Sequence, residues 1–172
     1  MKKILSIILF FAPLFVNAQS DVINEVCGVK FGSSLASVKT ILNERFGEIY
    51  NEEEDMLMYS FQNYGGVEFH FLSFNFVKNG SRTYLNEVVL LTINKTKESA
   101  EEQKELIAYA VRKTYSLTQL KDSEGNSYYG GGTSPLNPKQ YGFYIRVSES
   151  NIKEYPWAAQ LRYGPYGYGD NF

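Results

Sequence analysis

A β-hairpin in the middle of the chain is the feature that most constrains the fold. The segment Lys78-Asn79-Gly80-Ser81 separates two long apolar runs, and Asn-Gly accepts the positive φ angles of a tight hairpin turn. We therefore predict antiparallel strands over residues 67–77 and 84–94. The apolar phase of the first strand switches near Phe71-Leu72. This switch indicates either a β-bulge or a strand buried on both faces.

Two segments carry apolar residues at helical spacing. The first spans residues 35–46; Ser33-Ser34 can cap its start, and Gly47 supplies its end. The second spans residues 99–115 and begins with the capping-box pattern Ser99-Ala100-Glu101-Glu102. Its predicted apolar stripe consists of Leu106, Ile107, Ala110 and Val111, with Glu105 in solvent. We expect this stripe to dock on a sheet face that contains Phe69, Phe71, Val89 and Leu91.

Further strands are predicted over residues 56–61, 117–121, 127–129, 141–147 and 157–163. In residues 141–147, every second residue belongs to an apolar and aromatic face, and the residues between them form a wetter face. The first set is Tyr141, Phe143, Ile145 and Val147. Counting residues 117–129 as one unit gives the order helix-βββ-helix-βββ. Strands joined by hairpins predict an α+β fold, an antiparallel sheet with two main helices on one face. The helix starts at Ser34 and Ser99 make the two halves candidates for a degenerate repeat.

The N-terminal segment has the pattern of a secretory signal peptide. Lys2 and Lys3 precede an apolar run over residues 4–16, and Val16-Asn17-Ala18 suits cleavage after Ala18. This run is short for a bilayer span, which needs about 20 residues. We therefore expect an exported protein, periplasmic or extracellular, whose mature chain has no transmembrane segment. Residues 19–172 then form a single domain, with a Gly/Tyr-rich tail from about residue 164.

Charge and cysteine content narrow the class of protein. The chain has 17 Lys and Arg against 19 Asp and Glu, which argues against a nucleic-acid partner. Its single cysteine, Cys27, allows no intramolecular disulfide, which is typical of bacterial exported domains. Residues 19–26 separate Cys27 from the apolar run, which disfavours a lipoprotein. We expect Cys27 to be a buried apolar residue; a reactive thiol or intermolecular disulfide is the alternative.

The sequence contains no recognisable catalytic or metal-binding pattern. His70 is the only histidine, so a catalytic pair would need Cys27 beside it, and zinc is disfavoured. The acidic run Glu52-Glu53-Glu54-Asp55 is interpreted as a solvated loop rather than a calcium site. We predict no cofactor, no metal and no enzymatic activity. A small hydrolase that uses two carboxylates stays open as an alternative.

Residues 27–39, Cys27-Gly28-Val29-Lys30-Phe31-Gly32-Ser33-Ser34-Leu35-Ala36-Ser37-Val38-Lys39, resemble the opening of BamE and beta-lactamase-inhibitor-protein-like domains. The shared features are the glycines, the small polar residues and the valine of the following helix. This resemblance implies a small exported module, with helices on an antiparallel sheet, that binds proteins. It carries over no binding residue. The chain as a whole resembles small exported proteins of Gram-negative bacteria.

Tyrosine is the remaining compositional signal. The chain has 14 Tyr and 12 Phe, and tyrosines interleaved with glycine crowd its C-terminal third. Tyrosine offers rigid amphipathic contact area, as binding surfaces require, although it is also common in strands. The candidate binding residues are Tyr128, Tyr129, Tyr144, Tyr166 and Tyr168. We therefore expect a non-enzymatic exported binding domain for a protein or glycan, the alternative being a periplasmic inhibitor or immunity protein.

Overall fold

A computed structural model describes residues 21–167, so the predicted signal peptide and Tyr168 lie outside the described residues. Within that range the chain forms an eight-stranded antiparallel sheet, two helices and a small separate hairpin, an arrangement consistent with the predicted α+β class, whereas the predicted degenerate repeat is not confirmed. The elements are β1 (Glu25–Val26), β2 (Val29–Lys30), α1 (Leu35–Phe46), β3 (Asn51–Glu53), β4 (Met56–Tyr64), β5 (Val67–Asn79), β6 (Arg82–Asn94), α2 (Lys97–Val111), β7 (Leu117–Lys121), β8 (Ser127–Gly131), β9 (Phe143–Ile152) and β10 (Tyr155–Tyr163).

The strand order in the large sheet is β3-β4-β5-β6-β10-β9-β8-β7. Each helix is followed by four strands connected in sequence, and the two sets meet where β6 pairs with β10. The predicted order with three strands after each helix is therefore not confirmed. The extra strand of the first set is β3, which is short, exposed and drawn from the acidic run. In the second set, β7 and β8 are two distinct strands, whereas the predicted order counted residues 117–129 as one unit.

Helix α1 lies where the sequence predicts it. The Ser34 hydroxyl accepts a hydrogen bond from the Ser37 amide at 3.4 Å, and Gly47 ends the helix with φ of 80°. Val38 and Leu42 are buried and belong to the core. A small polar cap, an apolar stripe and a terminal glycine therefore define this helix locally.

Helix α2 has a different phase from the predicted one. Thr96 caps it by accepting from the Ser99 amide at 3.1 Å, so it begins before Ser99. Its inward residues are Ala100, Lys104, Ile107 and Ala108. Leu106 is 54% exposed, so its predicted burial is wrong. The physical reason is Lys104, whose buried ammonium pairs with Glu101 and donates to the Ser127 carbonyl at 3.2 Å.

The helices pack on one face of the sheet, whose core residues form rows across paired strands. One row is Leu57, Phe74, Val88, Tyr163 and Phe143, and the next is Tyr59, Leu72, Leu90, Leu161 and Ile145. The residues that alternate with these rows along each strand lie on the opposite face of the sheet. Three of them, Phe71, Val89 and Leu91, are only half-buried. Of the sheet residues expected beneath α2, Phe69 alone is in the core.

The phase switch in β5 explains why Phe69 belongs to the core whereas Phe71, two positions later, does not. Phe69 and Leu72 are both buried, although the register of β4 and β5 is constant through this point. On β4, Phe61 has φ of 49° opposite this switch. The register irregularity lies further along, between Asn75 and Phe76 on the β5–β6 pairing. No helix within residues 21–167 is long and apolar enough to cross a membrane.

Candidate functional site: a recess on the uncovered sheet face

The second face of the large sheet is uncovered, since both helices pack on the first. Alternate residues of β6, β10 and β9 point to this face. Two rows run across these strands: Val89, Arg162 and Tyr144 form one, and Leu91, Gln160 and Arg146 form the next. The face therefore combines aliphatic, aromatic and charged side chains without an element of residues 21–167 packed over it.

A hydrogen-bonded network holds the polar side chains of this face in place. The Asn75 amide donates to the Glu87 carboxylate at 2.9 Å, and Asn75 Oδ1 accepts from the Ser73 hydroxyl at 2.7 Å. Arg162 pairs with Glu87, with Nη2 at 2.5 Å from Oε1. Because Glu87 neutralises Arg162, this guanidinium is a fixed part of the scaffold.

Three tyrosine rings form a cluster beside the network. The ring centroids of Tyr128 and Tyr144 are 6.1 Å apart, and those of Tyr141 and Tyr144 are 5.9 Å apart in an edge-to-face arrangement. Gly130 lies against the Tyr141 ring: a Cβ there would be 2.7 Å from Tyr141 Cδ2. Burial, then Tyr128 and Tyr141, raise the pKa of the Tyr144 hydroxyl, which therefore stays protonated at neutral pH.

A recess with a volume of about 530 Å³ lies beside the network and the tyrosine cluster. Tyr128, Tyr144, Arg146, Ser148 and Arg162 contribute to its lining, and the segment after β10 forms one wall. Arg146 is exposed and makes no ion pair or hydrogen bond with residues 21–167. The carboxylate of Asp122, also in the lining, accepts hydrogen bonds from the amides of Glu124 and Asn126, both at 2.9 Å. Among the described residues that line the recess, Arg146 is thus the cation available to a ligand.

The structure separates the five tyrosines proposed from the sequence. Tyr128 and Tyr144 both line the recess. Tyr129 is buried on the helix side, where its hydroxyl donates to Glu105 at 3.0 Å, because adjacent residues of a strand face opposite ways. Tyr166 is also buried; its hydroxyl donates to the Gly142 carbonyl and its ring packs against Phe31. Tyr129 and Tyr166 are therefore core residues, a correction to their predicted role, and Tyr168 lies outside the described residues.

Sequence reasoning missed the basic residues of the recess. Arg146 follows Tyr144 by two positions, and Arg162 pairs with Tyr144 across β9 and β10. The alternation in residues 141–147 already indicated that Tyr144 and Arg146 share the wetter face. The position of Arg162 beside them depends on the long-range pairing of β10, which the local pattern does not give.

The two residues considered for catalysis, His70 and Cys27, do not line the recess. The His70 ring contacts Phe61 at 5.7 Å between centroids, and Nδ1 accepts from the Ile93 amide at 3.4 Å. Cys27 lies in the β1–β2 turn and is buried, which raises the pKa of its thiol to about 12. A thiol in this state is a poor nucleophile. Within residues 21–167, no group of three or more His, Cys, Asp or Glu is arranged to hold a metal ion.

The acidic run is engaged in surface ion pairs. Glu52 pairs with Lys39 at 2.7 Å, and Glu54 pairs with Lys78 at 2.6 Å. The lysine ammonium beside Glu54 lowers the pKa of that carboxyl. These exposed pairs connect β3 and its turn to α1 and β5.

No protein-family model, no curated protein and no solved structure matches this chain.

Proposed function

We propose that this chain is an exported, non-enzymatic binding protein that holds an acidic glycan in the recess on the uncovered sheet face. The observation that carries the proposal is Arg146, which has no ion-pair partner among the residues that the structure describes and lines the recess with Tyr128 and Tyr144. The export rests on the N-terminal sequence pattern, and the class of ligand rests on the chemistry of the recess.

The charge of the recess favours an anionic group. A guanidinium is planar and always protonated, and it matches a carboxylate with two parallel hydrogen bonds. Arg162 and Asp122 are already satisfied by protein groups, whereas Arg146 has no ion pair or hydrogen bond within the described part of the chain. A carboxylate at Arg146 would therefore gain a charge-assisted pair without breaking an existing one.

The size and lining of the recess favour a sugar as the carrier of that carboxylate. A volume of about 530 Å³ falls in the range of pockets for small ligands, about 300–1,000 Å³. Tyrosine faces carry partial negative charge and attract the polarised C–H groups of a sugar ring. Asn126, Ser127 and Ser148 supply hydrogen-bonding groups for its hydroxyls. A large protein partner would favour a more apolar central patch.

Calorimetric titration with a uronic-acid oligosaccharide, such as an oligogalacturonate, tests the proposal. Its methyl ester is the matched ligand, because esterification removes the charge and keeps the sugar. We expect Arg146→Gln to weaken binding of the free acid about 10- to 100-fold, as loss of a hydrogen bond to a charged group does. Arg82→Gln removes the same charge from the exposed start of β6, and we expect it to leave affinity unchanged.

Equal affinity for the acid and its ester would refute the role of Arg146. Equal losses of affinity in Arg146→Gln and Arg82→Gln would mean that only the net charge of the protein affects binding. If neither oligosaccharide binds, the recess is not a site for this class of glycan. A periplasmic inhibitor or immunity protein would then be the better proposal, supported by protection of cells against a toxin.

A further inference from the structure

A second cleft lies on the helix-covered side of the sheet, between the end of α2 and the start of β5. Its volume is about 280 Å³. Phe69, Ile107 and Leu161 give it an apolar lining, and Tyr64, Tyr115 and Tyr163 add three hydroxyl-bearing rings. No charged side chain of residues 21–167 lines it.

The cleft exists because β5 separates from β6 at its N-terminal end. β5 pairs with β6 only from Phe71 onward, whereas Val67 to Phe69 pair with β4 alone. The phase switch then turns Phe69 toward α2. Ile107 of α2 lies over this gap without closing it.

Tyr163 is one of the hydroxyl-bearing residues that line this cleft. The residue is 4% exposed, yet its hydroxyl makes no hydrogen bond with any residue of the range 21–167. No fully buried side-chain nitrogen or oxygen of residues 21–167 lacks a hydrogen-bond partner, so the Tyr163 hydroxyl is open to the cleft it lines and not sealed in the core. A hydroxyl in this position can donate to an acceptor placed in the cleft. Burial raises the pKa of Tyr163, and also that of Tyr64 and Tyr115, so all three remain hydrogen-bond donors.

We propose that this cleft binds a small uncharged molecule with one aromatic ring and an oxygen acceptor for the Tyr163 hydroxyl. An apolar cavity of about 150 Å³ is enough for benzene, so about 280 Å³ has room for a ring with a substituent. A charged ligand is disfavoured, because the lining offers no opposite charge to offset its desolvation.

Acetophenone is a suitable probe, since it has one ring and a carbonyl that only accepts hydrogen bonds. Benzoate is its charged counterpart of similar size. We expect acetophenone at about 1 mM, a concentration suited to weak binding, to shift the methyl NMR signals of Ile107 and Leu161, and benzoate to leave them unchanged. Tyr163→Phe should weaken acetophenone binding about 3- to 10-fold, the equivalent of one neutral hydrogen bond.

Two further variants keep the test decisive. Tyr109→Phe deletes the hydroxyl of an exposed tyrosine on the same helix and should leave binding unchanged. Ala110→Leu adds bulk to the lining and should abolish binding while the recess on the other face is unaffected. Absence of methyl shifts with acetophenone, equal binding of benzoate, or unchanged affinity in Tyr163→Phe or Ala110→Leu would each overturn the proposal. Thermal unfolding of each variant shows whether it folds. If Tyr163→Phe or Ala110→Leu fails to fold, acetophenone binding by the other variant decides the test.

Discussion

The phase of α2 can be tested by two alanine substitutions at adjacent positions. Ile107 is fully buried, and Ile107→Ala removes three carbon atoms from the core. At about 0.8 kcal/mol for each buried methylene, the lost transfer free energy is about 2.4 kcal/mol. Ile107 also borders the cleft, so the new space joins an existing opening, and the total should lie near the lower end of the about 2–5 kcal/mol typical of such truncations.

Leu106→Ala is the matched control on the same turn. Because Leu106 is 54% exposed and alanine favours helix, we expect it to cost less than about 1 kcal/mol. Urea unfolding followed by circular dichroism gives both free energies. A larger loss for Leu106→Ala than for Ile107→Ala would mean that α2 is rotated to the phase its apolar stripe suggests, and the packing of Lys104 toward the sheet would be refuted.

Three other changes probe the recess and its support. Gly130→Ala places a methyl group against the Tyr141 ring and should destabilise the fold by about 1–3 kcal/mol, measured by urea unfolding; an unchanged midpoint would contradict the close approach. Arg162→Gln leaves Glu87 without its cation and should cost about 1–3 kcal/mol, less than a fully buried pair because Arg162 is partly exposed; a neutral effect would contradict the network. Cys27 should resist iodoacetamide at pH 8 until the chain is unfolded, and rapid labelling of the folded protein would contradict its burial.

Local sequence patterns predicted those elements whose determinants are close together along the chain. Helix α1 has its cap, stripe and glycine within 14 residues, from Ser34 to Gly47, and the structure has all three in place. The β5–β6 hairpin follows from Asn79-Gly80 in the same way. Cys27 is buried as its apolar neighbours indicated.

Elements that depend on tertiary contacts were placed wrongly or missed. The sequence puts a lysine at position 104, which by composition belongs in solvent, and only the contacts with Glu101 and Ser127 explain its burial. Strand β3 is wholly polar and forms because β4 offers it an edge to pair with. In the recess, Tyr128 and Tyr144 were among the predicted residues, whereas Arg162 reaches them only through the pairing of β9 with β10.

Mapping of amide chemical shifts during titration with the uronic-acid oligosaccharide tests whether the uncovered sheet face is the binding surface. We expect the largest changes to cluster on β8 and β9, at Tyr128, Tyr144, Arg146 and Ser148, and α1 and the β1–β2 hairpin to stay unperturbed. Changes concentrated on the helices, or spread evenly over exposed basic residues such as Arg82, would contradict it.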